Sequence, residues 1–137
     1  MCGCNQAKER RTFAVIGAGA AAAVEALRQE GFEGRILMIG AEDRVPYDRP
    51  SCSKDYLAGK YKSADKCLPL RPAAFYAKYD IELRRARIVE MDVPSRRIIL
   101  DDGASLTSDA VLIATGAVPR RLNVPGADLP GVFTLRS

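Results

Sequence analysis

A short glycine-rich stretch near the start of the chain has residue types and spacing suited to binding a phosphate group. Residues 17–22 read G-A-G-A-A-A, the G-x-G-x-x-G/A pattern of dinucleotide-binding turns with alanine in the third place. In this pattern the first glycine permits a tight turn, the second lets a pyrophosphate approach the backbone, and the third small residue lets a helix lie close to a strand. We therefore expect a dinucleotide to contact Gly17, Gly19, Ala20, Ala21 and Ala22.

An acidic side chain stands where ribose recognition in such a fold requires one. Glu42 closes the second predicted strand, near the usual interval of about 20 residues after the glycine turn. A carboxylate there accepts hydrogen bonds from both hydroxyls of an adenosine ribose and repels a 2′-phosphate. The alternative, an alanine-rich core helix without a ligand, explains the alanines but neither the strand before the turn nor the acid.

A strand, a turn, a helix and a second strand position these residues. The apolar runs Phe13–Ile16 and Arg35–Ile39 predict buried parallel strands, and the residues from Ala20 to Glu30 predict the helix between them. The start of such a helix exposes unpaired N–H groups and a partial positive charge, which favour a pyrophosphate. Gly31 suits the left-handed residue that ends the helix.

Composition favours a small α/β domain and excludes several kinds of site. The 137 residues are 47% hydrophobic and 28% charged, enough apolar material for one core. The net charge of +4 is spread over arginine pairs at 84–85, 96–97 and 120–121 without interleaved aromatics, so we expect a solvated surface and no nucleic-acid site. Histidine is absent, which excludes Ser-His-Asp and Cys-His catalysis and histidine metal sites.

The N-terminus and the cysteines indicate where in the cell the protein is expected to be located. The charged and apolar residues 8–24 resemble a signal peptide, but the glycine turn explains them and the apolar run is too short to span a bilayer. We expect a disordered tail over residues 1–11, a cytoplasmic location and no membrane segment. Cys2, Cys4, Cys52 and Cys67 would then be reduced, and they lack the paired C-x-x-C spacing of common zinc sites, so we expect no metal.

The segment 43–59 contains two further candidates for a binding site. Its two prolines and low apolar content predict a loop that leads into a short helix. A loop that follows the second strand passes along the ligand face of the fold, and this one contains Arg49 and Lys54. Ordinary surface charges are the alternative interpretation of both residues.

The same segment resembles a known family. PYDRPSCSKDYL, residues 46–57, is similar to the PYDRPxLSKDYL segment of the two-dinucleotide flavoprotein reductases, which include ferredoxin, rubredoxin and putidaredoxin reductases and apoptosis-inducing factors. The resemblance is strongest to apoptosis-inducing-factor-like members that often carry a Rieske domain, and it covers nearly the whole chain. It implies FAD as the cofactor, Arg49 near the pyrophosphate, and Lys54 as a catalytic residue beside the reactive edge of the flavin.

The rest of the chain fits this family. A-T-G-A-V-P-R at 114–120 resembles the family's ATGxxPR motif and implies FAD contacts by Ala114, Thr115, Gly116 and Arg120, while the backbone of Ile88 would pair with adenine. The fold class expected is a Rossmann-like α/β FAD/NAD(P)-binding domain with a three-stranded antiparallel meander, incomplete relative to the family. The patterns predict a helix at 73–79, parallel strands at 81–83 and 110–113, and meander strands at 87–92, 96–101 and 104–107.

Three positions depart from the family pattern. Asp80 replaces a glycine that ends a helix, which aspartate tolerates because it visits the left-handed region better than most residues. Cys67 replaces a large residue. Cys52 replaces a leucine and is interpreted as a buried, unreactive side chain, although its position resembles that of the redox cysteine of NADH oxidases and peroxidases. The absence of a C-x-x-x-x-C pair excludes disulfide exchange of the glutathione reductase kind.

Several parts of the family pattern are missing, which makes this chain a fragment by expectation. A second glycine-rich unit for NAD(P)H, a return segment with a GD motif and an interface domain are not found in the sequence. We expect a partial FAD-binding domain over residues 12–122 and a linker over 123–137. The function implied is the FAD-binding part of an oxidoreductase that passes electrons from NAD(P)H to a ferredoxin or Rieske-type iron–sulfur protein, with the fragment alone inactive. The alternatives are a non-enzymatic dinucleotide-binding remnant and a thiol-dependent NADH oxidase or peroxidase that uses Cys52.

Overall fold

The structure, a computed structural model, describes residues 11–63 and 68–134. Apart from Arg11, the tail predicted to be disordered lies outside the described residues, and so do Cys2, Cys4 and Cys67. Within those two ranges, no helix has the length and apolar content needed to cross a membrane.

A parallel sheet forms the centre of the fold. Its strand order in the described part of the chain is β3, β2, β1, β7, with all neighbours parallel. The central strands are nearly continuous apolar runs because elements cover both faces, as the full burial of Val15 and Ile36 shows. The strands are β1 (Thr12–Ile16), β2 (Arg35–Gly40), β3 (Ile81–Arg85) and β7 (Ala110–Ile113), which confirms the four predicted parallel strands.

One helix crosses from β1 to β2 over the first face of the sheet. A 3-10 turn at Ala18–Ala20 precedes α1 (Ala21–Gln29), so the α-helix begins one residue later than predicted. Val24 is fully buried in a core that includes Ile36, and each such side chain contributes about 1.5–3 kcal/mol through apolar burial. Gly31 has a φ of +80° after the helix, which confirms the predicted left-handed position.

A three-stranded antiparallel sheet covers the second face. Ile98 and Leu100 of this sheet are almost fully buried and form a core with Ala14, Leu37 and Ile39 of the parallel sheet. The turn between its second and third strands contains Gly103 at a φ of +80°, a conformation that glycine adopts without steric cost. The strands are β4 (Ile88–Asp92), β5 (Arg97–Leu100) and β6 (Ser105–Thr107), in the order β4, β5, β6, and they confirm the predicted meander and fold class.

Among the described residues between β2 and β3, two short helical segments are found. Arg49–Ser51 forms one α-helical turn, α2, which continues as a π-helix over Cys52–Tyr56, so the predicted loop and short helix are confirmed. The second segment is α3 (Ala73–Lys78), near the predicted helix at 73–79. π-helical turns are rare and frequently lie at functional sites.

A single arginine ties the end of α3 to the end of α1. Arg28 donates hydrogen bonds of 2.6–2.9 Å to the carbonyl oxygens of Phe32, Gly34, Tyr79 and Asp80. Asp80 has a φ of +50°, which confirms that aspartate adopts the left-handed conformation predicted there. The hydrogen bonds from the Arg28 guanidinium to the carbonyl oxygens of Tyr79 and Asp80 help to offset the free-energy cost of that conformation.

Candidate dinucleotide-binding site

A cleft of about 820 Å³ opens at the carboxyl ends of the parallel strands. This is the edge of a doubly wound sheet at which ligands bind, and the volume lies within the range of small-molecule sites. Residues from four separate parts of the chain form its walls. They lie at 16–19, 38–49 except 48, 83–88 and 114–116.

Gly17 forms the turn at the end of β1. Its φ of +98° and ψ of +140° are strained for any residue with a side chain, and its N–H donates a hydrogen bond of 2.8 Å to the carbonyl oxygen of Ile39. A Cβ on Gly17 would lie 2.6 Å from the carbonyl carbon of Ala114 and 2.9 Å from the amide nitrogen of Thr115. Glycine is therefore required here by contact with the chain itself, independently of any ligand.

Gly19 plays a different part from Gly17. A Cβ there would meet one atom within contact range, the carbonyl oxygen of Ala114 at 3.4 Å, and the residue is exposed along the cleft. The helix start beyond it has no side-chain cap and no acidic residue in its first turn. This arrangement leaves open space and uncapped N–H groups, which suits a phosphate group.

Of the four alanines in the glycine-rich turn, Ala18 lines the cleft, whereas Ala20, Ala21 and Ala22 do not. The 3-10 turn and the start of α1 direct Ala20 and Ala21 into the protein, where they are 8% and 1% exposed, while Ala22 is exposed to solvent. The prediction that Ala22 lets the helix lie close to the strand is wrong, since Ala20 and Ala21 are the small buried residues. Contact of these alanines with a cofactor stays a prediction.

Glu42, Tyr47 and Arg49 form a hydrogen-bonded cluster on the wall of the cleft. The Tyr47 hydroxyl donates to Glu42 Oε2 at 2.7 Å, and Arg49 Nη2 donates to Glu42 Oε1 at 2.5 Å. The guanidinium carbon of Arg49 also lies 5.1 Å from the centre of the Tyr47 ring. The structure thus brings together the predicted ribose acceptor and the predicted pyrophosphate arginine, and it adds Tyr47, which the sequence reasoning had not selected.

The surroundings of Arg49 and Tyr47 in this cluster favour the protonated form of each side chain. The hydrogen bond to Glu42 raises the pKa of Arg49, and burial followed by the hydrogen bond to Glu42 raises the pKa of Tyr47. Arg49 therefore stays charged and Tyr47 stays a hydrogen-bond donor.

The signal that could have identified Tyr47 is its place two residues before Arg49 in the segment that resembles the family motif.

Arginines form the rim of the cleft near β3. Arg84 pairs with Asp102 at 2.5 Å and Arg85 pairs with Asp43 at 3.3 Å. The charge pattern predicts a solvated surface at Arg84 and Arg85, and both are exposed, but they also line the cleft. Such exposed pairs are weak, so these side chains are free to respond to an anionic ligand.

Some of the residues expected to contact the adenine and the flavin also line this cleft. Ile88 is half-buried in its wall, and Ala114, Thr115 and Gly116 complete the side next to Gly17. The N–H of Ala114 donates to the carbonyl oxygen of Ile16 at 2.7 Å, which extends the pairing of β7 with β1 beyond the strand end. The tertiary structure therefore joins residues 114–116 to the glycine turn.

Lys54 and Arg120 are not part of this cleft in the structure. Lys54 is exposed on the π-helical turn, two residues from Cys52 and two from Tyr56, which both face a second cavity. Residues two apart on a helix do not share a face, so Lys54 points elsewhere. Arg120 is exposed after β7. The expected roles of both residues beside a flavin stay predictions.

Cys52 is less buried than predicted. It is half-buried, and it lines a second cavity of about 670 Å³ with Tyr56, Leu57 and Leu68. The π-helical turn places it at a cavity wall, where a leucine-sized core position was expected. Its thiol lies 4.0 Å from the carbonyl oxygen of Asp48, and Cys52 is the free cysteine in the part of the chain that the structure describes.

The parallel sheet, the glycine turn and the cleft at the strand ends define a dinucleotide-binding domain of the Rossmann type. Residues 11–137 match the family model described as pyridine nucleotide-disulphide oxidoreductase. The chain belongs to this family, whose members are FAD-dependent oxidoreductases, so the expected family is confirmed.

Individual relatives agree with the family match. The chain is 43% identical over 127 residues to the benzene 1,2-dioxygenase system ferredoxin–NAD(+) reductase subunit of Pseudomonas putida, which covers 90% of this chain and 30% of that protein. It is 38% identical over 126 residues to apoptosis-inducing factor 3 of Homo sapiens, and the aligned region covers 90% of this chain and 20% of that protein. The chain thus spans about a third or less of the curated relatives it matches.

Solved structures confirm the fold. The ferredoxin reductase for the CYP199A2 system of Rhodopseudomonas palustris has a TM-score of 0.82 and 38% identity, over 93% of this chain and 32% of that one. Putidaredoxin reductase, in its covalent complex with putidaredoxin, has a TM-score of 0.75 and 34% identity, over 85% of this chain and 28% of that one. Both similarities are to reductases, as the sequence motifs imply.

Proposed function

We propose that this chain is the FAD-binding part of an NAD(P)H-dependent flavoprotein reductase that passes electrons to a ferredoxin or Rieske-type iron–sulfur protein. The observation that carries the proposal is the convergence on one cleft of Gly17 and Gly19, the cluster around Glu42, Ile88, and residues 114–116. The proposal extends to a domain over residues 12–122, a linker over 123–137 and a cytoplasmic location.

The residues of the cleft fit the chemistry of FAD. Gly19 and the uncapped helix start offer space and N–H groups to the pyrophosphate, and Arg49 offers a positive charge. The Glu42 carboxylate is a hydrogen-bond acceptor for ribose hydroxyls, and Ile88 lines the same cleft. When bound, FAD supplies hydride acceptance and one-electron transfer, while the protein supplies binding and orientation.

Cofactor identity and one substitution test this proposal together. We expect the purified chain to retain or take up FAD, identified by mass analysis after release. Gly19→Val should weaken FAD binding by at least about tenfold, because a branched side chain would fill the space of the pyrophosphate. Ala26→Val places the same side chain at an exposed position of α1 outside the cleft and should leave FAD binding unchanged. Recovery of NAD, or equal FAD binding by both variants, would refute the assignment.

A second candidate is a non-enzymatic chain that binds a dinucleotide only when paired with another chain. Large apolar side chains that are exposed in this chain favour it, including Ile113 at 61%, Val118 at 89% and Phe133 at 88%. Titration of FAD at several chain concentrations separates the two candidates. An affinity that is independent of chain concentration supports binding by the chain alone, whereas binding that appears only above a threshold concentration supports the second candidate.

A further inference from the structure

We infer that Tyr47 is a positioning residue of the cleft, which orients Glu42 through its hydroxyl and Arg49 through its ring toward the adenosine diphosphate half of a bound dinucleotide. The inference rests on the proposed function and adds to it a residue that contacts both predicted binding groups. Its basis is the geometry of three side chains and of the backbone that holds them.

The backbone around Tyr47 is fixed by a short antiparallel bridge. Tyr47 pairs with Pro69, and the neighbouring N–H groups close the bridge on both sides. Asp48 donates to the carbonyl oxygen of Leu68 at 2.7 Å, and Leu70 donates to that of Pro46 at 2.9 Å. Because Pro46 and Leu68 are buried, this bridge anchors Tyr47 to the core even though Tyr47 itself lines an open cleft.

Tyr47 and Arg49 occupy different oxygens of Glu42. The hydroxyl of Tyr47 holds Oε2 at 2.7 Å, and Arg49 holds Oε1 at 2.5 Å. The ion pair lies between side chains that are 36% and 48% exposed, so it is weak and open to exchange with a ligand. If Arg49 moves to a phosphate, Tyr47 still holds the carboxylate in place, because its bond to the other oxygen does not depend on Arg49.

The ring of Tyr47 gives Arg49 a surface to lie on. The guanidinium carbon is 5.1 Å from the ring centre, within the range of cation–π contact. A planar guanidinium that rests on an aromatic face keeps its N–H groups at the edge, where they can donate to two phosphate oxygens. The hydroxyl and the ring therefore act on different partners, and different substitutions separate the two contributions.

A double-mutant cycle measured with ADP tests the role of the hydroxyl, since ADP contains only the half of FAD that the cluster would contact. Tyr47→Phe should weaken ADP binding about threefold to tenfold, the range of one hydrogen bond, with the melting temperature nearly unchanged. In the Glu42→Ala background the same substitution should change ADP affinity less than about twofold, because the partner is gone. Tyr79→Phe, which removes a hydroxyl outside the cleft from the residue that follows α3, should leave ADP affinity unchanged.

A second cycle tests the ring and guards against a purely structural effect. Tyr47→Leu should weaken ADP binding more than Tyr47→Phe does, and the additional loss should disappear in the Arg49→Ala background. An equal loss from Tyr47→Phe with and without Glu42, or no loss at all, would overturn the inference while leaving the proposed function intact. Failure of the unsubstituted chain to bind either ADP or FAD would refute the proposed function and the inference together.

Discussion

Gly17 and Ala114 are in contact so close that no side chain fits between the glycine turn and the segment after β7. Gly17 ends the central strand β1, and Ala114 follows β7, the neighbour of β1 in the sheet. The contact brings the two motifs of the cleft together although they are far apart in the sequence. Gly17 is therefore required by the fold, because a side chain there would clash with the backbone. At Gly19 the open space suits a ligand instead.

Gly17→Ala should destabilise the folded chain. The φ of +98° alone costs a residue with a side chain about 1–3 kcal/mol, and the clash with Ala114 adds to this cost. Gly31→Ala is the matched control, since Gly31 also has a positive φ, +80°, but nothing lies within 4 Å of the added Cβ. Chemical denaturation of both variants checks the prediction, and it is contradicted if Gly17→Ala is no less stable than Gly31→Ala.

Glu42→Ala should weaken FAD binding without loss of the fold. The substitution removes a charge-assisted acceptor for the ribose hydroxyls, which is worth about 1.5–3 kcal/mol, or tenfold or more in affinity. Glu33→Ala removes an exposed carboxylate outside the cleft and serves as the control. Isothermal titration with FAD decides the matter, and equal affinities for the two variants would exclude Glu42 from the ribose site.

Cys52 should be alkylated no faster than Cys2 and Cys4 in the folded chain at neutral pH. Selective reactivity requires an accessible, stabilised thiolate, whereas the thiol of Cys52 is half-buried and lies 4.0 Å from the carbonyl oxygen of Asp48. Iodoacetamide labelling followed by peptide mass analysis gives the three rates. Rapid labelling of Cys52 ahead of the other two would favour the alternative in which this thiol takes part in peroxidase-like chemistry.

NADH and NADPH should not reduce the FAD-loaded chain at an enzymatic rate. Rapid hydride transfer requires the nicotinamide to be held against the flavin, and this placement supplies an effective molarity of about 10⁵–10⁸ M. Residues 17–22 are the single glycine-rich dinucleotide pattern in this sequence, so a chain with FAD bound there has no second such unit. Anaerobic stopped-flow mixing measures the rate, with free FAD as the control. Saturable reduction at about one per second or faster would contradict the prediction.

Most of the secondary structure could be predicted because its signals are local. The apolar runs of β1 and β2, the alanine-rich start of α1 and the glycine after it each reflect burial or backbone conformation within a few residues. The left-handed conformation of Asp80 could be predicted because the family pattern that the sequence resembles has a helix-ending glycine at this position. The bonds from Arg28 that hold this turn could not, because they join residues about 50 positions apart in the sequence.

The sequence by itself determined the dinucleotide-binding class of this protein, since a glycine turn between a buried strand and a helix, followed by an acid at the next strand end, is specified within one short stretch. Only the tertiary structure decided which side chains meet in the cleft. It paired Glu42 with Arg49 and Tyr47, and it left Lys54 outside the lining of the cleft. The physical reason is that strand and turn propensities act between neighbours along the chain, whereas side-chain partners depend on helix phase and on contacts between distant segments.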